Sequence, residues 1–278
     1  MTSIMLTCHL MGGLGNQLFQ IFTTISYAIK SNNIFHFLNV DTLGGGECTL
    51  RYTYWNSFLV RLKPFLKEQF PQLTRVSETG FKFKEIEIEP NKDVCLFGYF
   101  QSYKYFDDDF KTISKMIGIN AFKDKVIEKC QLPVQDYISL HFRIGDYKKV
   151  TWVHPIATHE YYRSSLAYIQ SIDKKNNVLY FCEEEDIESV NQTVNALRND
   201  FPSVVFVRAD PKLTDWEQML LMSSCSHNII ANSSFSWWGA YLNTNPDKQV
   251  CYPSAWFGVS IGHDTIDLCP KNWKQMKC

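Results

Sequence analysis

The sequence predicts an α/β protein with mostly parallel sheets. Three observations carry that expectation. Short β-rich apolar runs alternate with longer segments of helical period, the second half repeats the strand-helix unit in regular succession, and two strand-to-helix turns are built from glycine or small hydroxyl residues. The predicted strands are Ile4–His9, Val94–Phe97, Tyr137–Phe142, Val178–Cys182, Val204–Val207 and Asn228–Ala231. The predicted helices are Gly15–Lys30, Ser102–Met116, His159–Ser171, Asp186–Asn199 and Thr214–Ser224, and Asn232-Ser233-Ser234 opens one more. Between Thr42 and Lys92 the pattern is irregular. The length, 278 residues, accommodates two modest domains. We expect the border at Gln131-Leu132-Pro133, where a proline precedes a fresh strand, giving domains 1–133 and 134–278.

Composition narrows the function. With 45% hydrophobic and 21% charged residues the chain can bury a sizeable core. Lys plus Arg total 28 and Asp plus Glu total 29, a net charge of −1, so nothing draws the whole molecule to nucleic acid or an anionic membrane. An anionic ligand therefore needs a local basic site. His9, Asn16, Gln17 and Gln20 interrupt the apolar N-terminal region where a membrane span or signal sequence would be continuous, so neither is expected. Nine cysteines (Cys8, Cys48, Cys95, Cys130, Cys182, Cys225, Cys251, Cys269, Cys278) form no C-x-x-C pair. That usage suits a reducing cytoplasm and argues against zinc. The acidic runs Asp107–Asp109 and Glu183–Asp186 are compatible with a hard cation, but each opens a predicted helix and complements its positive end. No metal site is expected.

The first strand leads into Met11-Gly12-Gly13-Leu14-Gly15-Asn16, a turn where the backbone can approach a ligand and the next helix offers free N–H groups. Its G-G-x-G spacing matches neither a P-loop nor a dinucleotide fingerprint. Asn16 either donates to a ligand or caps the helix. The strand Tyr137–Phe142 ends in His141, Arg143 and Asp146, at the sheet edge where ligands of parallel α/β proteins gather. His141 and Arg143 are two apart and share a face. A guanidinium so placed can grip a diphosphate, or pair internally with Asp146. Farther on, Asn232-Ser233-Ser234 forms a second strand-to-helix turn with hydroxyls at its cap, suited to phosphate oxygens. Trp237 and Trp238 are packing or sugar-facing rings, with packing the expectation, and Asp215 either reads a guanine edge or caps its own helix.

Four segments together resemble the signatures of glycosyltransferase family 11: Gly12–Gln20, Gly98–Phe106, His141-Phe142-Arg143-Ile144-Gly145-Asp146-Tyr147 and Asn228–Ala240. The resemblance implies an α-1,2-fucosyltransferase type of enzyme with two facing Rossmann-like domains, the GT-B architecture. It further implies GDP-fucose as donor, a galactose-containing glycan as acceptor, and no metal or other cofactor. The first domain becomes the acceptor side and the second the donor side. Arg143 matches the arginine that neutralises the donor β-phosphate, and His141 the histidine near the guanine or pyrophosphate. Asn16, Ser233 and Ser234 fall where related enzymes contact phosphate, and Asp215 matches their guanine-reading carboxylate. Asp146, or a carboxylate of the first domain, is the candidate general base. The family pattern H-x-R-R-G-D is broken by Ile144, yet in a strand that position faces away from Arg143. A transferase for another nucleotide sugar, or a noncatalytic binding protein, are the alternatives.

Overall fold

The computed structural model describes residues 4–44 and 50–278, so Cys48 lies outside the described residues. The chain divides into two compact units, one comprising the residues up to Phe122 with His263–Pro270, the other Lys123–Gly262 with Lys271–Cys278.

In the first unit, β1 (Met5–Cys8) is wholly buried and leads into α1 (Leu14–Lys30), which buries nearly every side chain from Leu14 to Ala28. Small polar residues inside that apolar helix are satisfied locally, as where Thr24 Oγ1 donates to the Gln20 carbonyl at 2.8 Å. Lys30 in the last turn complements the helix dipole, and Asn32 leaves the helix with φ 53°. β2 (Ile34–Phe35) pairs with β1, and the described residues from Phe37 to Lys67 contribute two-residue strands. These are β3 (Phe37–Leu38) paired with β6 (Leu66–Lys67), and β4 (Thr42–Leu43) paired with β5 (Arg51–Tyr52). β7 (Thr74–Ser77) and β8 (Val94–Phe97) complete a parallel sheet ordered β2-β1-β8-β7. The predicted helix Ser102–Met116 is instead two 3₁₀ turns, Tyr103–Tyr105 and Asp107–Asp109, followed by α2 (Phe110–Ile117). The three aspartates open α2 as expected, with Asp109 also accepting a hydrogen bond from Ser26 Oγ at 2.6 Å.

The division between units falls inside α3 (Ile119–Cys130), ahead of Pro133, because packing rather than the proline decides it. Buried Lys123 donates from Nζ to the carbonyls of Ser223 and Leu242, at 3.1 and 3.3 Å, and so holds the rest of α3 to the second unit. The C-terminal stretch also departs from the expected 134–278 domain. Asp267 belongs to the first unit, where its carbonyl accepts from Ser102 Oγ at 2.6 Å and its carboxylate pairs with Lys104.

The second unit is a six-stranded, all-parallel sheet ordered β11-β10-β9-β12-β13-β14. The strands are β9 (Tyr137–His141), β10 (Asn177–Phe181), β11 (Val205–Arg208), β12 (His227–Ile229), β13 (Val250–Pro253) and β14 (Lys274–Met276). Helices α4 (His159–Ile172), α5 (Ile187–Asp200) and α6 (Asp215–Met222) connect the first four strands, and α7 (Ser234–Tyr241) follows β12. The chain runs outward from β9 through β10 to β11, then returns to place β12 on the other side of β9. The topological switch point thus lies between β9 and β12, and ligands of such sheets bind outside the carboxyl ends of the strands at that point. One face of the sheet packs Ile138, Leu140, Phe142, Val178, Tyr180 and Ile229 against apolar residues of α4 and α5, including Leu166 and Val194.

All eight described cysteines carry free thiols, and burial pushes the thiols of Cys8 and Cys251 up to about 12, as befits small hydrophobic side chains. Among the described residues no helix is long and apolar enough to cross a membrane.

Candidate active site

The site begins with the alternation of β9. Ile138, Leu140 and Phe142 enter the core and Ile144 packs against its edge, so Ser139, His141 and Arg143 face the other way. Ile144 therefore takes an apolar position that leaves Arg143 undisturbed. His141 is 8% exposed, its ring centroid stands 5.5 Å from that of Phe235 in α7, and its Nδ1 has no hydrogen-bond partner. Burial, and then the neighbouring Arg143 charge, lower its pKa to about 3. The ring is neutral at any physiological pH.

Arg143 follows on the same face. Its guanidinium pairs with Glu183, reaches Asp146 at 2.5 Å, and lies 5.0 Å from the Tyr147 ring centroid. Burial opposes its charge, but Glu183 and Asp146 outweigh that and hold its pKa above the ordinary value. The internal pair with Asp146 is thus present, joined by a second carboxylate. The sequence places Glu183 only in an acidic run at a helix start; the structure adds its partnership with Arg143, because it follows β10, the neighbour of β9, at the same sheet edge. Its close approach depends on Gly145, which has φ 25° and at which a Cβ would stand 2.7 Å from Glu183 Oε2. The Gly145 N–H donates to Asp186 at 2.6 Å, and Lys148 pairs with the same carboxylate at 2.7 Å. Glu183, Glu185 and Asp186 can bring one oxygen each to within 4.8 Å of one another. Two of the three already have these cationic or N–H partners, and Asp186 stands at the start of α5 as the dipole reading expects.

Across the switch point, Ser233 is the N-cap of α7, its Oγ accepting the Phe235 N–H at 3.3 Å, and Ser234 is the first helical residue. Asn232 just before them is 2% exposed. Its Nδ2 donates to the carbonyls of Pro155 and Trp256, at 2.9 and 3.1 Å, while its Oδ1 has no hydrogen-bond partner. Trp237 and Trp238 are fully buried, in keeping with packing. His141, Arg143, Asp146, Ser233 and Ser234 therefore converge at the carboxyl ends of β9 and β12.

Two predicted residues lie elsewhere. Asp215 opens α6 after β11, two strands from β9, and accepts the N–H of Trp216 at 2.7 Å. Asn16 belongs to the first unit. It does not cap α1, whose N-cap is Gly13; its Oδ1 accepts from Gln101 Nε2 at 2.8 Å, which joins the Gly12–Gln20 and Gly98–Phe106 segments. Gln20 reinforces that junction by donating to the Gly98 carbonyl at 3.1 Å. A cavity of about 210 Å³ in the same unit, lined by residues including Glu78, Lys84, Phe100 and Tyr105, contains none of the predicted site residues.

Comparison with known proteins gives this geometry a context. Residues 51–275 match the model of glycosyl transferase family 11. The chain is 28% identical to the alpha-1,2-colitosyltransferase of Escherichia coli, over 97% of this chain and 98% of that protein. It is 29% identical to the E. coli O-antigen biosynthesis glycosyltransferase WbnK, over 67% of this chain and 62% of that one. A shorter match, 38% of this chain and 28% of the relative, gives 23% identity to galactoside alpha-(1,2)-fucosyltransferase 1 of Saimiri sciureus. Among solved structures, E. coli ADP-heptose lps heptosyltransferase II superimposes with a TM-score of 0.51 at 14% identity, covering 98% of this chain and 90% of that one. An Arabidopsis thaliana FUT1 mutant in complex with GDP gives 0.50 at 9% identity, over 97% and 75%. Those likenesses identify the α/β fold with mostly parallel sheets as the GT-B type. With a family match over most of its length, the chain belongs to glycosyl transferase family 11 and is a glycosyltransferase.

Proposed function

We propose that this enzyme transfers L-fucose from GDP-fucose to the 2-hydroxyl of a galactose in an acceptor glycan, without a metal ion. The observation that carries the proposal is the convergence of Arg143 with the Ser233-capped start of α7 at the β9–β12 switch point. The difficult part of glycosyl transfer from a nucleotide sugar is the charge that develops on the departing diphosphate. A guanidinium fixed in advance by Glu183 and Asp146, at the same sheet edge as the N-terminus of α7, meets that charge without reorganising. Neutral His141 hydrogen-bonds the nucleotide without adding charge, Ser233 and Ser234 hold phosphate oxygens, and Asp215 reads the guanine edge. Asp146 receives the proton of the acceptor hydroxyl. The linkage is supported by the relatives, whose names specify α-1,2 transfer of colitose or fucose.

The test is product formation from GDP-fucose and a galactoside, followed by mass spectrometry in the presence of EDTA. We expect the wild-type chain to be active, and Arg143→Ala and Arg143→Lys both to lose about 100-fold or more, because lysine keeps the charge but not the planar fork. Full activity in either variant removes Arg143 from the mechanism, and loss of wild-type activity on chelation refutes metal independence. The near full-length match to a colitosyltransferase favours a second donor, GDP-colitose, whose sugar is L-fucose without its 3-hydroxyl. A higher kcat/KM with GDP-colitose replaces fucose in the proposal and leaves the rest standing.

A further inference from the structure

Tyr147 closes the motif that begins at His141, and neither the diphosphate nor the acceptor has been given to it. Its surroundings join both halves of the site. The face of its ring lies 5.0 Å from the Arg143 guanidinium carbon. Its hydroxyl donates to the carbonyl of Asn232, the residue before the α7 cap, at 3.0 Å. The ring stacks on His154 at 4.5 Å with 16° between the planes. One residue beyond His154, the Pro155 carbonyl accepts from Asn232 Nδ2 at 2.9 Å. The contacts form a closed circuit from the Tyr147 hydroxyl to Asn232 and back through residues 154–155 to the tyrosine ring, with Arg143 attached at the ring's face.

We propose that Tyr147 is a positioning residue that sets the separation between Arg143 on the β9 side and the N-terminus of α7 on the β12 side, so that both reach the same diphosphate. The inference rests on the reading of Arg143 as the diphosphate-binding group. The physical reason is geometric. The β9–β12 ladder ends at the Leu140–Ile229 pair, and beyond it no ladder pairing joins the two loops. A rigid ring with one polar end, wedged against a cation and bonded to the opposite backbone, replaces the missing ladder. The stacked imidazole of His154 keeps the ring from turning away. Such support fixes a charged group to the fraction of an ångström that transition-state stabilisation requires.

The experiment is a double-mutant cycle on the full chain, read as GDP affinity by calorimetry and, where turnover persists, as kcat/KM for the nucleotide sugar. Tyr147→Phe removes the hydroxyl and keeps the ring, and should weaken GDP binding about fivefold. Tyr147→Leu also removes the cation–π contact and should weaken it about 25-fold. In the Arg143→Ala background the Tyr147→Phe change should cost less than twofold, since there is no guanidinium left to position. A tyrosine that merely stabilises the fold would cost the same factor in both backgrounds, and that result overturns the inference. Wild-type affinity and kcat/KM for Tyr147→Phe overturn it as well. If Arg143→Ala itself binds GDP as well as wild type, the diphosphate reading has failed. A weakened Arg143→Ala beside an unaffected Tyr147→Phe defeats the positioning role alone.

Discussion

His141 shows how a position in the sheet changes what a side chain can do. The strand buries the ring, and Arg143 stands two residues on, so its pKa falls from 6.5 to about 3. The consequence for stability has a definite sign. In the unfolded chain the imidazole accepts a proton near pH 6.5, whereas in the folded chain it does so only near pH 3, so between those values the unfolded state binds more protons. The stabilisation is complete above about pH 6.5 and is lost progressively as the pH falls toward 3. We therefore expect the urea midpoint of wild type to fall between pH 7 and pH 5, and to fall less steeply in His141→Gln. An equally steep fall in the variant would show that His141 does not contribute to the acid sensitivity. Ile144 makes a complementary point at the same scale. Its replacement of the second basic residue of the family pattern fits the apolar cluster it packs against.

At the scale of elements, β12 is held by more than its ladder. Asn228 is fully buried; its Nδ2 donates to Ser139 Oγ of β9 at 2.7 Å and to the Met222 carbonyl at the end of α6 at 2.8 Å, and its Oδ1 accepts from Asn243 Nδ2 at 2.8 Å. One amide thus fastens the strand that carries the α7 cap to the strand that carries Arg143, and to the connections on both of its own sides. Asn228→Leu should lower unfolding stability by about 2–3 kcal/mol, because the Met222 carbonyl and the Asn243 amide each lose a buried partner. The check is a denaturant midpoint shift at unchanged slope. A change under about 0.5 kcal/mol would mean that water replaces the amide. This scale also marks what the sequence makes legible. α1, α4, α5, β8, β9 and β10 announce themselves because their apolar periods run over whole elements. The two-residue strands from Phe37 to Lys67 exist only through their partners, and the edge strand β14 reads Lys-Gln-Met with no apolar alternation. The same distinction holds in the site. Arg143, His141 and the serine cap stand in compact motifs, whereas Glu183 and Asn232 matter only because neighbouring strands bring their loops together, and Asn16 meets Gln101 across 85 residues of chain.

For the whole molecule, a balanced charge of −1 means that donor selection is local, since no long-range field favours one nucleotide over another. The fold does not make that choice either. A fold hosts many ligands, and the side chains that meet the ligand decide between them. In the proposed binding mode the groups at the β9–β12 switch point meet only the diphosphate, which every nucleoside diphosphate shares. Preference for guanine must then come from a group that meets the base, and in this chain the proposal gives that task to Asp215, exposed at the start of α6 on the same sheet edge. A ligand that binds only the folded state raises stability by about 2.7 kcal/mol at 100 times its Kd, which for a chain of this size corresponds to a melting shift of about 5–10 °C. At equal concentration GDP should therefore raise the melting temperature by several degrees more than ADP or UDP. Asp215→Ala should bring the GDP shift down to that of ADP while leaving the shared diphosphate contribution in place. Equal shifts for all three nucleotides in the wild-type chain would remove Asp215 from base recognition without touching Arg143, because the proposal sets the two residues at opposite ends of the same ligand.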